Sequence, residues 1–269
     1  MLRIAVTGAA GFIGGETVLR LADAGHQVFA CDRVCPAYNV ARAAYTWVLS
    51  DFTHPNWLAC LTENSVDALV HCAGTSLVGP SVTDPAEYYD NNFYRTKCLL
   101  DNMREWLPNT RIIFSSSASV YGSPLLTPCH EVDPVLPISP YGQSKAMIEW
   151  MLQSYHKAYQ LPYVAFRYFN ACGADSTARH GQAPGASHII ARVLECLRDD
   201  REFTMFGRNY PTTDGTCRRD YVHVQDIADA HVAACENLVP NGIYNLGLNT
   251  AHSNQEIVYM AQKITGRNL

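Results

Sequence analysis

The sequence predicts an α/β fold, a doubly wound parallel sheet followed by a smaller C-terminal unit, and three observations carry that prediction. Over the first 173 residues short β-branched runs alternate with longer amphipathic stretches, the sequence form of a parallel sheet covered by helices on both faces. A glycine-rich turn stands directly after the first run, where such a fold opens its first helix. After Gly173 the alternation breaks, because residues 174–187 are rich in Gly, Ala, Pro, Ser and His and read as a loop.

Strands are expected at residues 3–6, 27–30, 47–49, 68–70, 111–114 and 163–166, apolar almost throughout, as strands buried on both faces require. Helical stretches at 16–24, 85–106 and 141–159 complete one doubly wound domain over 1–173. In 174–269 the shorter segments 189–198, 203–206, 221–224, 226–236 and 244–246 build something smaller. No repeat or low-complexity tract interrupts this pattern.

A chain of 269 residues, 48% of them hydrophobic, can bury a full core. Its formal charge of -5 is spread along the sequence without a basic run, which argues against a nucleic-acid partner. The strand-like run after Met1 leaves no room for a signal peptide, and no apolar run is long enough to span a bilayer, so no membrane partner is expected. Of ten cysteines, only Cys31 and Cys35 are near neighbours; without tight thiolate pairs no metal site is expected, and reduced thiols in a cytoplasm are the favoured reading.

The turn reads Val6-Thr7-Gly8-Ala9-Ala10-Gly11-Phe12-Ile13-Gly14. Gly8 permits the tight turn, Gly11 lets the backbone approach a pyrophosphate, and Gly14 lets helix pack on strand, with free N–H groups facing the anion. A glycine pattern alone can be a structural turn. Asp32, however, ends the second strand at the spacing where a carboxylate accepts ribose hydroxyls, and it would repel a 2′-phosphate, which favours NAD over NADP despite the neighbouring Arg33. The two residues between Gly8 and Gly11 depart from the Gly-x-Gly-x-x-Gly dehydrogenase fingerprint and point to a different family.

Tyr141 and Lys145 stand four apart after Ser139 and Pro140, a plausible cap and first-turn proline, so both lie on one face of a helix. Such a pair also describes a solvated helix face. An ammonium beside a phenol would stabilise the phenolate and let it act as a general base near neutral pH. The strand 111–114 runs into Ser115-Ser116-Ser117-Ala118-Ser119-Val120-Tyr121-Gly122, and its carboxyl end lies beside the nucleotide crevice of a doubly wound sheet, so a hydroxyl, a phenol and an ammonium converge there.

These segments, with His71 to Gly74, Glu87 to Asn92, Arg167-Tyr168-Phe169-Asn170, Phe206-Gly207, Tyr210 to Thr212, Asp214 to Thr216, Arg219 to Val224, Asp226 and Tyr244 to Gly247, resemble the UDP-glucose 4-epimerase family of extended short-chain dehydrogenases/reductases over nearly the whole chain. The resemblance implies a Rossmann-type NAD domain and a smaller substrate-binding domain. It implies epimerisation of a UDP-hexose, UDP-glucose/UDP-galactose or their N-acetyl forms, through a 4-keto intermediate, as in galactose metabolism. Tyr141 would be the base, Lys145 would grip the nicotinamide ribose and lower the phenol pKa, and Ser117 would bond the sugar oxygen. Further cofactor contacts would be Gly8, Gly11, Phe12, Ile13, Gly14 and Asp32, the adenine pair Asp51 and Phe52, the strip Cys72, Ala73 and Gly74, then Asn91 and Tyr168. The matching UDP positions are Asn170, His188, Ile189, Thr204, Phe206 and Arg219. A homodimer would pair the helices 85–106 and 141–159, which carry Tyr94, Leu99, Met103, Trp150, Met151 and Tyr155.

A nucleotide-sugar dehydratase or decarboxylase on the same scaffold is the nearest rival. Dehydratases of this type place Asp and Glu directly after the catalytic hydroxyl, and here Ala118 and Ser119 stand there, leaving elimination without a proton donor. Two departures motivate a catalytically impaired nucleotide-sugar-binding protein instead. Ser76 replaces a usual lysine, and the sequence stops at Leu269, where the family continues through a Pro-Arg-x-Gly-Asp segment, so that the substrate domain is expected to be truncated.

Overall fold

The computed structural model describes residues 1–36, 45–124 and 126–269. Its strands run in chain order β1 (Arg3–Thr7), β2 (Gln27–Asp32), β3 (Tyr45–Leu49), β4 (Ala68–His71), β5 (Arg111–Ser117), β6 (Tyr163–Tyr168), β7 (Asn170–Cys172), β8 (Arg218–His223), β9 (Gly242–Leu246) and β10 (Ala251–Ser253). Seven of them form one sheet in the order β3-β2-β1-β4-β5-β6-β9, every pair parallel. The order reverses between β1 and β4, and a doubly wound sheet opens its ligand crevice beyond the carboxyl ends of the strands at that reversal.

Nine α-helices accompany them among the described residues: α1 (Phe12–Asp23), α2 (Pro55–Glu63), α3 (Val78–Thr83), α4 (Pro85–Tyr88), α5 (Arg95–Trp106), α6 (Pro140–Tyr159), α7 (Ile189–Asp199), α8 (Val224–Cys235) and α9 (Asn254–Thr265). Successive residues of a strand face opposite ways, and the core divides accordingly. Ala5, Phe29, Leu69, Ile112 and Phe114 pack with Trp57 and Leu61 of α2, Leu99 and Met103 of α5, and Ile148 and Leu152 of α6. Ile4, Val6, Val28, Val70 and Ile113 pack on the other face with Val18 and Leu21 of α1 and Ile227 and Ala234 of α8.

The structure differs from the sequence expectation in several places. Residues 85–106 are not one helix: α4 and α5 flank a π-helical turn, Tyr89–Tyr94. β5 continues through the serines to Ser117 because β6 pairs it that far, Ser117 opposite Tyr168. Residues 203–206 form no strand. The helices α2 and α9 and the strand β10 were not expected; α9 nonetheless opens with a capping box between Ser253 and Glu256. Two elements from beyond residue 173 belong to the large sheet's layers, since β9 pairs with β6 and α8 lies against α1. A second sheet, β10-β8-β7, stands apart from it. No helix is long and apolar enough to cross a membrane among the described residues.

Candidate active site

The glycine turn joins β1 to α1. Gly8 adopts φ +68°, and a Cβ there would lie 2.6 Å from Ala73 N; a Cβ on Gly14 would lie 2.1 Å from Gly8 O. Helix and turn therefore touch backbone to backbone. Gly11 is the N-cap of α1 and no side chain caps the helix, so the N–H groups of the first turn, from Phe12 and Ile13 onward, are left for an anion. Asp32 closes β2 and is fastened to the turn: Oδ2 accepts from Ala10 N–H at 3.0 Å and Oδ1 from Arg33 N–H at 2.7 Å. An uncapped helix start, a cradle that a methyl group would fill and a carboxylate at its rim fit a dinucleotide.

The strip after β4 forms the next wall. Buried His71 bonds Thr7 Oγ1 through Nδ1 at 2.7 Å and Thr96 Oγ1 through Nε2 at 2.9 Å, and burial pushes its pKa down to about 3, so it is a neutral strut. Cys72 and Ala73 follow, then Gly74 at φ +149°, where a Cβ would meet Asn92 Oδ1 at 2.8 Å. Asn91 and Asn92 both turn toward this strip because the π-helical turn carries them. Asn91 Nδ2 donates to Thr75 Oγ1 at 2.8 Å; Asn92 Oδ1 accepts from Thr75 N–H at 2.7 Å, while its Nδ2 donates to Thr75 O and to Ser144 Oγ on α6. Asp51 accepts two bonds from Thr53 and one from Arg95 at 2.8 Å. Burial would raise its carboxyl, but these partners outweigh that and hold it below the ordinary range. Phe52 is buried edge-on to His71, ring centroids 4.9 Å apart.

At the end of β5 the expected three meet. α6 starts from Ser139, whose Oγ accepts from Gly142 N–H, with Pro140 in the first turn. Tyr141 is buried, with Ser117 at the end of β5 beside it. Lys145 is buried too, its Nζ donating to Ser115 O at 2.7 Å and lying 5.8 Å from the Tyr141 ring centroid. Burial raises the phenol, opposed by the Ser117 hydroxyl, and lowers the Lys145 ammonium to about 8, opposed by Cys72 and Glu149. Burial and the neighbouring Tyr88 thus raise the phenol, and the Ser117 hydroxyl is the group beside it that favours its ionised form.

Tyr168 sits at the end of β6. Its hydroxyl donates to His231 Nε2, His231 Nδ1–H donates to Thr17 Oγ1 at 2.8 Å, and Thr17 donates to Ile13 O at 2.9 Å. The carbonyl can only accept, which fixes the direction of every bond in the chain. Tyr168 is thereby tied to the first turn of α1.

The expected UDP positions are looser. Asn170 Nδ2 donates to Asp220 O at 3.0 Å, next to Arg219, whose guanidinium is exposed. His188 is the N-cap of α7; Ile189 packs with Phe203 and Met205 around Val193, which brings the stretch holding Thr204 and Phe206 to the same end of α7. Phe206 is 84% exposed. Among the described residues no hydrogen bond joins these positions to Ser117, Tyr141 or Lys145. Sequence reasoning missed Asn92, His71, His231 and the buried Glu149–Arg167 pair at 2.7 Å. Only Glu149 had a readable signal, its place four residues after Lys145.

The sequence profile of the NAD dependent epimerase/dehydratase family matches residues 4–247. A UDP-glucose 4-epimerase of Halalkalibacterium halodurans is 41% identical over 271 residues, 98% of this chain and 81% of the relative. The crystal structure of UDP-glucose 4-epimerase from Brucella ovis in complex with NAD superposes with a TM-score of 0.91 at 37% identity, covering 100% of this chain and 84% of that one. The enzyme from Bifidobacterium longum in complex with NAD+ and UDP gives 0.88 at 33%, covering 98% and 84%.

Proposed function

The chain belongs to the NAD-dependent epimerase/dehydratase family, and from that premise we infer that it catalyses NAD-dependent 4-epimerisation of a UDP-hexose through a 4-keto intermediate. The observation that carries this reading is the meeting of Ser117, Tyr141 and Lys145 at the end of β5, beside the glycine turn. NAD held in this site would supply the acceptor and donor of hydride for the sugar C4.

The chain's own part is proton handling and orientation. Tyr141 accepts the 4-hydroxyl proton, Ser117 bonds the same oxygen and relays the proton, and Lys145 supplies positive charge that stabilises the phenolate as it forms. The turn from Gly8 to Gly14 takes the pyrophosphate on backbone N–H groups, Asp32 accepts the adenosine ribose hydroxyls, and Asp51, Phe52, Cys72, Ala73, Gly74, Asn91 and Tyr168 line the rest of the cofactor path. The region 174–269, with Asn170, receives the UDP moiety, and Arg219 pairs with the diphosphate.

We further propose a cytoplasmic homodimer joined through α5 with its preceding π-helical turn and α6, where Tyr94 of the turn is 58% and Trp150 of α6 50% exposed. Free cysteines among the described residues are in keeping with a reducing compartment. The test of the central reading is Tyr141→Phe, assayed on UDP-galactose. It should retain the fold and NAD while turnover falls by roughly 10²–10⁴; wild-type turnover would remove Tyr141 from the mechanism.

A further inference from the structure

Helix α6 carries a third buried polar side chain in step with the two already placed. Tyr141, Lys145 and Glu149 are four residues apart and share one face. Each meets one of the three serines that end β5. Ser117 lies beside Tyr141, the carbonyl of Ser115 accepts from Lys145 at 2.7 Å, and Ser116 Oγ donates to Glu149 Oε1 at 2.5 Å. Arg167, opposite Ser116 on β6, closes the group, with Nε donating to Oε1 at 3.0 Å and Nη2 to Oε2 at 2.7 Å. Glu149 is 1% exposed.

A buried ion pair is a poor device for stability alone, since an apolar pair of similar volume serves as well. The neighbour of Glu149 explains the charge better. Tyr141 and Glu149 face Lys145 from its own helix, His71 and Cys72 from the end of β4, and Tyr168 lies beyond Cys72 on β6. Burial pushes His71 down to about 3, Cys72 up to about 12, and both phenols upward, so these four are uncharged near neutral pH. Glu149 then provides the negative charge that opposes desolvation of the Lys145 ammonium. The Arg167 guanidinium extends away from Lys145, with Nη1 donating to Tyr121 Oη at 2.7 Å and to Glu131 O at 3.2 Å.

We propose that Glu149 is a positioning residue for the reaction, acting through Lys145: its carboxylate keeps the ammonium charged and fixed at the end of β5, where Tyr141 needs it. The inference rests on the reading of Tyr141 as base and Lys145 as its cationic partner. Its test is the rate of UDP-galactose conversion against pH with NAD saturating. In the wild type the rate falls on the alkaline side as Lys145 loses its proton. Glu149→Gln keeps the size and an oxygen for Arg167 but removes the charge. Its alkaline limb should move toward acid by about one pH unit, the effect of an opposite charge within about 4–6 Å. Arg167→Gln, which takes from the buried Glu149 carboxylate its cation and so favours its neutral form, should also move the limb toward acid. A merely structural role would lower Tm in both variants and move the limb in neither. Should a single variant fail to fold, Glu149→Gln/Arg167→Gln removes both charges together and should retain an acidward shift. An unmoved limb in folded Glu149→Gln or in the double variant overturns the proposal, whereas wild-type turnover in Tyr141→Phe overturns the reading beneath it.

Discussion

Alanine at Gly14 probes whether the nucleotide site depends on close approach of α1 to its turn. The new Cβ would lie 2.1 Å from Gly8 O, 2.8 Å from Gly8 C and 3.2 Å from Ala9 Cα. All three are backbone atoms, so no side chain can swing aside. Restoring a contact of about 3.5 Å moves the start of α1 away from the turn by more than about 1 Å. Overpacking of this kind costs about 1–3 kcal/mol, and at ~2–4 °C per kcal/mol for a chain of this size Tm should fall by roughly 2–12 °C. The same shift carries the N–H groups of Phe12 and Ile13 off the phosphates. Losing one hydrogen bond to a charged group, about 1.5–3 kcal/mol, weakens NAD binding by about 10- to 150-fold. Scanning calorimetry and titration of the stripped protein with NAD measure the two effects. Gly25→Ala is the control: Gly25, unlike helical Gly14, is left-handed, at φ +80°, but nothing lies within 4 Å of its Cβ position. It should cost about 1 kcal/mol of backbone strain and leave NAD affinity unchanged. If Gly14→Ala bound NAD within threefold of wild type, helix approach would not be what sets the site.

Two further outcomes follow, one from buried histidines and one from an exposed helix face. His71 and His231 each have a pKa pushed down to about 3 by burial. The unfolded chain therefore binds more protons below the ordinary histidine value of about 6.5, and each histidine's stabilising contribution is full above that pH and lost as pH falls toward 3, at about 1.4 kcal/mol per pH unit. Acid melts should show this slope, and His231→Gln should flatten it by about one proton; an unchanged slope would mean that His231 is protonated in the native protein. Light scattering at micromolar concentration should give twice the chain mass, and Trp150→Glu on the exposed face of α6 should give the single mass; a monomeric wild type would count against the homodimer.

Five of the six strands of the first half were legible because a strand buried on both faces must be apolar at its inner positions, and such runs contrast with their helical surroundings; β3, at the sheet edge, is only half-buried. The break in residues 85–106 was not. A π-helical turn inserts one extra residue without changing the apolar period on either side, and what it does here is direct two adjacent asparagines at one strip of backbone. Asn91 was readable through family resemblance. Asn92, which clamps Thr75 to the catalytic helix, shows nothing in the sequence that separates it from its neighbour. The pairing of β9 with β6 and of α8 with α1 likewise rests on contacts between distant parts of the chain, which local period does not encode.

The serine run shows how far spacing alone reaches. In the sequence Ser115, Ser116 and Ser117 are three equivalent hydroxyls after a strand. Extension of β5 to Ser117 puts alternate side chains on opposite faces, so the three are separated by geometry into three tasks: a carbonyl for Lys145, a hydroxyl for Glu149 and a hydroxyl for Tyr141. The facing helix face repeats every four residues, and where it crosses these three consecutive serines it brings a base, its ammonium and the ammonium's counter-charge to one strand end. Tyr141 and Lys145 were legible because their spacing has a recognised chemistry. Glu149 follows the same spacing, but its role depends on Arg167, which lies eighteen residues away in the sequence and reaches it only when β6 pairs with β5. A helix face therefore names candidate residues, and the neighbouring strand decides which of them can hold charge out of water.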